Sequence, residues 1–380
     1  MTKKKAEPGE PARSFEIDAP LLRAALKDVS GVVEARNTIP VLSNVLLTVT
    51  PSSLTLIATD LEIWGERHVG LSGDADAMSL TVEAAVLARI ADKLPAEASV
   101  RLAYADGKLT VSAGRSRFSL PTLPVDDFPT VPRKDWDAEF EMPAIMLAGA
   151  LSTVGFAQST EETRYYLRGV FVHAPESGDL RFAATDGHRL ARGVMALPNG
   201  AQTLPDVIIP TKVVKVLNTL LGRYEGTIDV RVSATSIRVE IGETVVQAKL
   251  IDGTYPDYTR VVPSSQASLL KADREALLAA IGRVTTVSSD KTRAVKVVID
   301  RDVLTMSVTS PENGTAVEEL PCDYAGPALT IGFNSRFLAD VLGHLTAQEI
   351  EATFTDAAAP TLWRDREDAS AIFVVMPMRV

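Results

Sequence analysis

Apolar side chains recur along the chain in two rhythms. After Phe15-Glu16-Ile17 they fall at helical spacing through Pro20, Leu21, Leu22, Ala25, Leu26 and Val29. After Phe140-Glu141-Met142 a second stripe runs through Met146, Leu147, Ala150, Leu151 and Val154, and after Leu269-Leu270 a third runs through Leu277, Leu278, Ile281 and Val284. Each is followed by a second helical pattern: Val86, Leu87, Ile90 and Leu94; then Val213, Val214, Leu217 and Leu221; then Phe337, Leu338, Val341 and Leu345. Segments 99–102, 108–111, 227–232 and 236–241 alternate with the period of half-buried strands, and Asp106-Gly107, Ser177-Gly178 and Asn313-Gly314 separate such runs as turns.

The patterns superimpose at a shift of about 125 residues, a domain-sized period. The punctuation repeats with them. Ile57-Ala58-Thr59-Asp60-Leu61-Glu62 corresponds to Ala183-Ala184-Thr185-Asp186-Gly187-His188, and Asp127-Phe128-Pro129-Thr130 to Thr254-Tyr255-Pro256-Asp257. Three domains are expected, 13–135, 138–262 and 264–380, behind a disordered tail at 1–12. Each is an α+β unit with two helices on one side of antiparallel sheets. Repeated domains side by side build a curved surface, and a head-to-tail contact between two copies can close a ring, which suggests that something passes through it.

Composition places the chain among ordinary globular proteins, at 46% hydrophobic and 23% charged residues. Cys322 is the only cysteine, which excludes an internal disulfide and a cysteine metal cluster. The opening MTKKKAEPGEPARS is charged rather than leader-like, and no run of about 18 apolar residues occurs. A cytoplasmic protein that does not enter membranes is expected. The net charge of −10 argues against a broadly basic coat. Yet the helical segments 19–36, 83–94, 143–157, 211–223, 271–283 and 334–346 hold twelve Lys and Arg against seven Asp and Glu. That segregation would let one surface face phosphates, and no base-reading motif accompanies it, so contact would be to the backbone.

Asp186-Gly187-His188-Arg189 has the look of an active site. However, no nucleotide-binding, zinc-protease or nucleophile-elbow motif is present, and His68, His173, His188 and His344 lack metal-ligand spacing. A hydrolase using Asp186 and His188 lacks a nucleophile beside them. The first repeat keeps Thr59-Asp60 without the histidine, so Thr-Asp belongs to the fold. No catalytic residue, metal or cofactor is expected.

A set of motifs in order along nearly the whole chain resembles one family. They are Thr38-Ile39-Pro40-Val41-Leu42, Ala58-Thr59-Asp60-Leu61-Glu62, Gly114-Arg115-Ser116-Arg117-Phe118, Arg164-Tyr165-Tyr166-Leu167, Ala184-Thr185-Asp186-Gly187-His188-Arg189-Leu190, Asp252-Gly253-Thr254-Tyr255-Pro256-Asp257-Tyr258 and Val374-Val375-Met376-Pro377-Met378-Arg379. Together they resemble the bacterial sliding clamps, the beta subunits of DNA polymerase III. The resemblance implies three clamp domains per chain and a head-to-tail homodimer. Its six-domain ring would enclose duplex DNA, with helices inside and sheets outside. It implies no catalysis: the ring tethers a polymerase, and an ATP-driven clamp loader places it on DNA.

In that family, partners dock a short peptide carrying a glutamine and apolar residues. Matching positions here are Arg164, Tyr166, Leu167, Thr185, Gly187, His188, Arg189, Leu190, Pro256, Arg260, Val261, Val374, Val375, Met376, Pro377, Met378 and Arg379. The implied partners are the polymerase III catalytic subunit, the clamp-loader complex and other proteins with the clamp-binding motif. DNA contacts are implied at Arg36, Tyr165 and Lys212, and a dimer seam at Phe118 and Leu120 against Thr286 and Val287. Phe118 also fits an ordinary buried strand position. The acids Glu161 and Glu162 would repel phosphate, and the loop Ala357-Ala358-Ala359-Pro360, if near the peptide site, would reshape its rim. The long tail and this loop also suit an alternative, a clamp paralogue whose altered pocket resists a clamp-binding inhibitor.

Overall fold

Local signals set the helix starts. Pro20 occupies the first turn of Ala19–Ser30. Asp273 accepts a hydrogen bond from Ala276 N at 2.8 Å to open Arg274–Val284, and that bond holds its carboxyl below the usual carboxylate range. Asn334 accepts from Arg336 N at 3.1 Å at the start of Ser335–His344. The protein, as a computed structural model, is described over residues 13–34, 37–263, 268–288 and 293–380. The expectations for the tail 1–12 and for Arg36 lie outside these residues.

The chain divides into two compact units, Met1–Ile145 with Lys215–Leu250, and Met146–Val214 with Ile251–Val380. The first unit holds an eight-stranded antiparallel sheet in the order Met78–Glu83, Asn44–Thr50, Ser53–Thr59, Ile63–Gly70, Thr244–Lys249, Ser236–Ile241, Thr227–Ser233, Ala138–Pro143. It also holds a four-stranded sheet, Arg13–Asp18, Ser99–Ala105, Lys108–Ala113, Ser116–Pro121. Helices Ala19–Ser30 and Ala84–Lys93 pack together. Arg23 fastens them, donating to the carbonyls of Ala91 (3.1 Å) and Leu94 (2.9 Å), where a helix C-terminus favours a cation.

The second unit holds a nine-stranded sheet, Val207–Pro210, Gly169–His173, Asp179–Thr185, Arg189–Ala196, Ala371–Val375, Thr361–Asp365, Glu349–Phe354, Ser268–Asp273, Asp323–Tyr324. Its smaller sheet runs Gly314–Pro321, Val303–Ser310, Ala294–Ile299, Leu329–Asn334. Helices Arg274–Val284 and Ser335–His344 pack together, and Arg274 donates to the Ala347 carbonyl at 3.1 Å.

Sheets are shared between repeats: Ile63–Gly70 pairs with Thr244–Lys249, and Arg189–Ala196 with Ala371–Val375, so strands of the middle repeat complete two different sheets and the two compact units divide inside it. One sequence expectation needs amendment: helix ends differ. The first helix stops at Ser30, and residues 271–273 are strand. The observed helices carry nine Lys and Arg against four Asp and Glu, so their excess of five positive charges stands with tighter boundaries. Among the described residues no helix is long and apolar enough to cross a membrane.

Candidate functional site

The Thr-Asp motif folds the same way in both repeats that carry it. Leu61 N donates to Thr59 Oγ1 (2.9 Å), and Glu62 N and Ile63 N donate to Asp60 Oδ1 (2.9 and 2.7 Å). In the middle repeat, Gly187 N donates to Thr185 Oγ1 (3.1 Å), and His188 N and Arg189 N to Asp186 Oδ1 (2.9 and 3.0 Å). Both turns pass through the left-handed region, at φ 75° for Leu61 and 89° for Gly187. The Asp186 carboxylate is therefore committed to backbone and to Arg189 Nε at 3.1 Å, and serves as a turn former rather than a general base.

What the turn carries differs. In the first repeat Leu61 and Ile57 pack against Val41, Leu42 and Phe128. Their middle-repeat counterparts are Gly187 and Ala183, so two large apolar side chains are missing at the matching place. The floor there is formed by buried Leu167, Ala183, Leu190, Ile208, Tyr255, Tyr258 and Val374, with Tyr166, Phe171, Ile251, Val262 and Leu362 packed against it. Phe171 stacks on Tyr255 at 4.7 Å, and burial pushes the Tyr255 phenol up, keeping it neutral.

The last strand supplies one side. Leu190 faces Val374 and Arg189 faces Val375, and Met376 N extends the ladder to His188 O at 2.8 Å. Met376 and Pro377 are half-buried, whereas Met378 and Arg379 are exposed. Met378 N reaches Gly332 O at 2.9 Å. The loop before Thr361–Asp365 is held by Asp356, which accepts from Ala358 N and Ala359 N, and it leads into Thr361, opposite Val375.

The arginines divide by task. Arg189 is turned inward: it pairs with Asp186 and Asp340, donates to the Phe156 carbonyl at 2.8 Å, and lies over the rings of Phe156 and Phe337 at 5.1 and 4.6 Å. Arg164 meets Glu161 at 2.7 Å; that hydrogen bond lowers the Glu161 pKa, so one of the two acids expected to repel phosphate is neutralised locally. Arg260 is exposed and paired with Asp257 at 2.9 Å. Pro256, Val261 and His188 are exposed, and the His188 ring stacks 6.1 Å from Phe337.

Repeat spacing brought out the turn with Ala183, and the family resemblance the last strand, but both missed Ile208, Phe171, Leu362 and Asp340. Tyr255 was visible as repeat punctuation, with Phe128 as its counterpart in the first repeat.

Of the implied DNA contacts, Tyr165 is 54% exposed and lies edge-on to Tyr166, and Lys212 is half-buried on Thr211–Leu221. Of the implied seam, Phe118 and Leu120 are half-buried on Ser116–Pro121, an edge strand, so the ordinary core reading of Phe118 does not hold. Thr286 is exposed and Val287 half-buried, both in the turn Thr285–Val287.

Family models for the DNA polymerase III beta subunit match three times: its N-terminal domain at residues 14–132, central domain at 141–257 and C-terminal domain at 259–379. The beta sliding clamp of Caulobacter vibrioides is 40% identical over 373 residues, covering 96% of this chain and 99% of the relative. That of Escherichia coli is 35% identical over 370 residues, covering 96% and 100%. Among solved structures, the Bartonella birtlesii sliding clamp bound to griselimycin superimposes with a TM-score of 0.95 at 38% identity, over 97% of this chain and 100% of that one. The Caulobacter crescentus clamp, with polyethylene glycol at a putative beta-motif tethering region, gives 0.94 at 40% identity over 98% and 100%.

Fold and site define a processivity factor, a class that is not catalytic. The chain belongs to the bacterial DNA polymerase III beta subunit family, the sliding clamps. These likenesses support the clamp reading over that of a specialised, inhibitor-resistant paralogue.

Proposed function

We propose that the apolar floor around Leu190 and Val374 docks a short peptide of partner proteins, its glutamine and apolar side chains replacing the bulk that Ile57 and Leu61 supply in the first repeat. That substitution by Ala183 and Gly187 is the observation that carries the reading. Leucine, valine and methionine around the floor suit varied partners. Partners would include the polymerase III catalytic subunit, the clamp-loader complex and other proteins carrying the motif, all acting in the cytoplasm.

Two copies of the chain pair head to tail and enclose duplex DNA, with the repeats 13–135, 138–262 and 264–380 as the six segments of the ring. Edge strands support the pairing. Ser116–Pro121 and Gly314–Pro321 each end a sheet, their burial is poor, and Val317 is 62% exposed. Open edges are templates for another strand. Arg117 on one and Glu319 on the other are exposed and of opposite charge. The positive excess on the helices, with Tyr165 and Lys212, meets the phosphate backbone without reading sequence.

Loading the protein on nicked circular DNA and then linearising the circle tests the topology. Retention on circles and loss from linear molecules is expected; equal retention on both would sink the reading.

A further inference from the structure

The sheet face that carries the apolar floor continues past it. Leu190 lies opposite Thr185 and Val374; Arg192 lies opposite Ala183 and Ile372; and Arg181 lies opposite Val194 and His173. Antiparallel partners share a face, and residues two apart on a strand return to it after about 7 Å. Arg192 is thus one step from Leu190 on the same face, and Arg181 one step further.

Neither guanidinium is an ordinary solvated surface cation. Arg192 is half-buried, and burial lowers its pKa. Its hydrogen bond among the described residues is a long one, 3.4 Å to the Ala369 carbonyl, and none of their carboxylates lies within ion-pair distance of it. Arg181 holds Asp179 at 3.3 Å and Ser177 Oγ at 3.1 Å, and its positive charge further disfavours that of Arg192. The Nε atoms of both are buried without a hydrogen-bond partner. His173, kept neutral by burial, bonds to the Tyr258 hydroxyl at 2.9 Å and brings no counter-charge. Two cations therefore share one paired carboxylate beside an apolar floor.

We propose that Arg192, backed by Arg181, is an anion subsite that takes the carboxylate of an Asp or Glu side chain flanking the apolar anchor of the docked peptide. A carboxylate supplies the missing counter-charge, and a guanidinium can hold its two oxygens at once. The subsite rests on the peptide-docking reading above.

The test measures fluorescence anisotropy of two labelled synthetic peptides on the full chain. Both carry the glutamine and apolar residues; one has acidic flanks and the other the corresponding amides. The acidic peptide should bind about three- to fivefold tighter at low salt, as a partly exposed ion pair allows. That advantage should vanish in Arg192→Ala and Arg192→Gln and shrink with added salt. The amide peptide should bind these variants as it binds wild type, which also verifies their fold. Equal binding of both peptides to wild type, or an advantage that survives Arg192→Gln, overturns the subsite alone. Failure of both peptides to bind wild type overturns the docking reading and the subsite with it.

Discussion

A Cβ on Gly187 would lie 2.7 Å from Nη1 of Arg164. The guanidinium can swing away, but the backbone cannot escape its φ of 89° so cheaply. Gly187→Ala should therefore cost about 1–2 kcal/mol, the usual penalty for a left-handed side-chain-bearing residue. Urea denaturation measures it; an unchanged midpoint would mean that the turn relaxes.

If the floor is open because Ala183 replaces the isoleucine of the first repeat, refilling it should close it. Ala183→Ile is expected to weaken motif-peptide binding by about tenfold or more, with an overpacking cost of about 1–3 kcal/mol. Peptide titration separates the two effects: full affinity in the variant would show that the peptide binds elsewhere.

Asp186 accepts two backbone hydrogen bonds and also holds Arg189. Asp186→Ala should cost about 2–3 kcal/mol, because the turn loses its backbone acceptor and the inward guanidinium a partner, and Asp186→Asn, which keeps an acceptor for the turn, about 1 kcal/mol. Equal losses for the two variants in denaturant titrations would show that the backbone hydrogen bonds add nothing.

His173 is half-buried, stacked on Phe171 at 4.7 Å and bonded to Tyr258, and burial lowers its pKa below the ordinary 6.5. The unfolded chain then binds the proton more readily than the folded one. This contribution to stability is present above pH 6.5 and is lost as pH falls through the lower folded value. His173→Phe, which keeps the stack, should flatten that part of the Tm-against-pH curve; an unaltered slope would assign the acid sensitivity to other groups.

At the open edges, Phe118→Lys or Val317→Lys should weaken self-association by about tenfold or more, since a lysine on an edge strand opposes strand addition. Sedimentation equilibrium reads the effect. Unchanged assembly in both variants would move the seam away from these strands.

Much of this was legible in the periodicity. The six helices, the hairpins and the repeated Thr-Asp turn follow from local spacing. The end of the first helix did not, because Val32 is fully buried beyond Ser30 and would leave a Cβ on Gly65 only 3.0 Å away, so the apolar rhythm outlasts the helix. The sheet seams were also illegible, since edge pairing joins residues such as Leu190 and Val374 that are far apart in the chain. The family resemblance named Leu190 and Val374 separately; only the register makes them neighbours. It also included Arg189 among the docking residues, whereas its side chain is largely occupied with Asp186, Asp340 and Phe156.

The ladder between Arg189–Ala196 and Ala371–Val375 has a consequence for biosynthesis. A nascent chain that has just emerged past residue 262 possesses every residue of its middle repeat, yet Arg189–Ala196 has no neighbour on one side until the ribosome has added more than a hundred residues. Until then that strand is an unprotected template for aggregation. On the docking reading proposed above, a chain that stops short of Ala371–Val375 lacks Val374 and with it one side of the floor, so such truncated products would fail to capture a partner peptide.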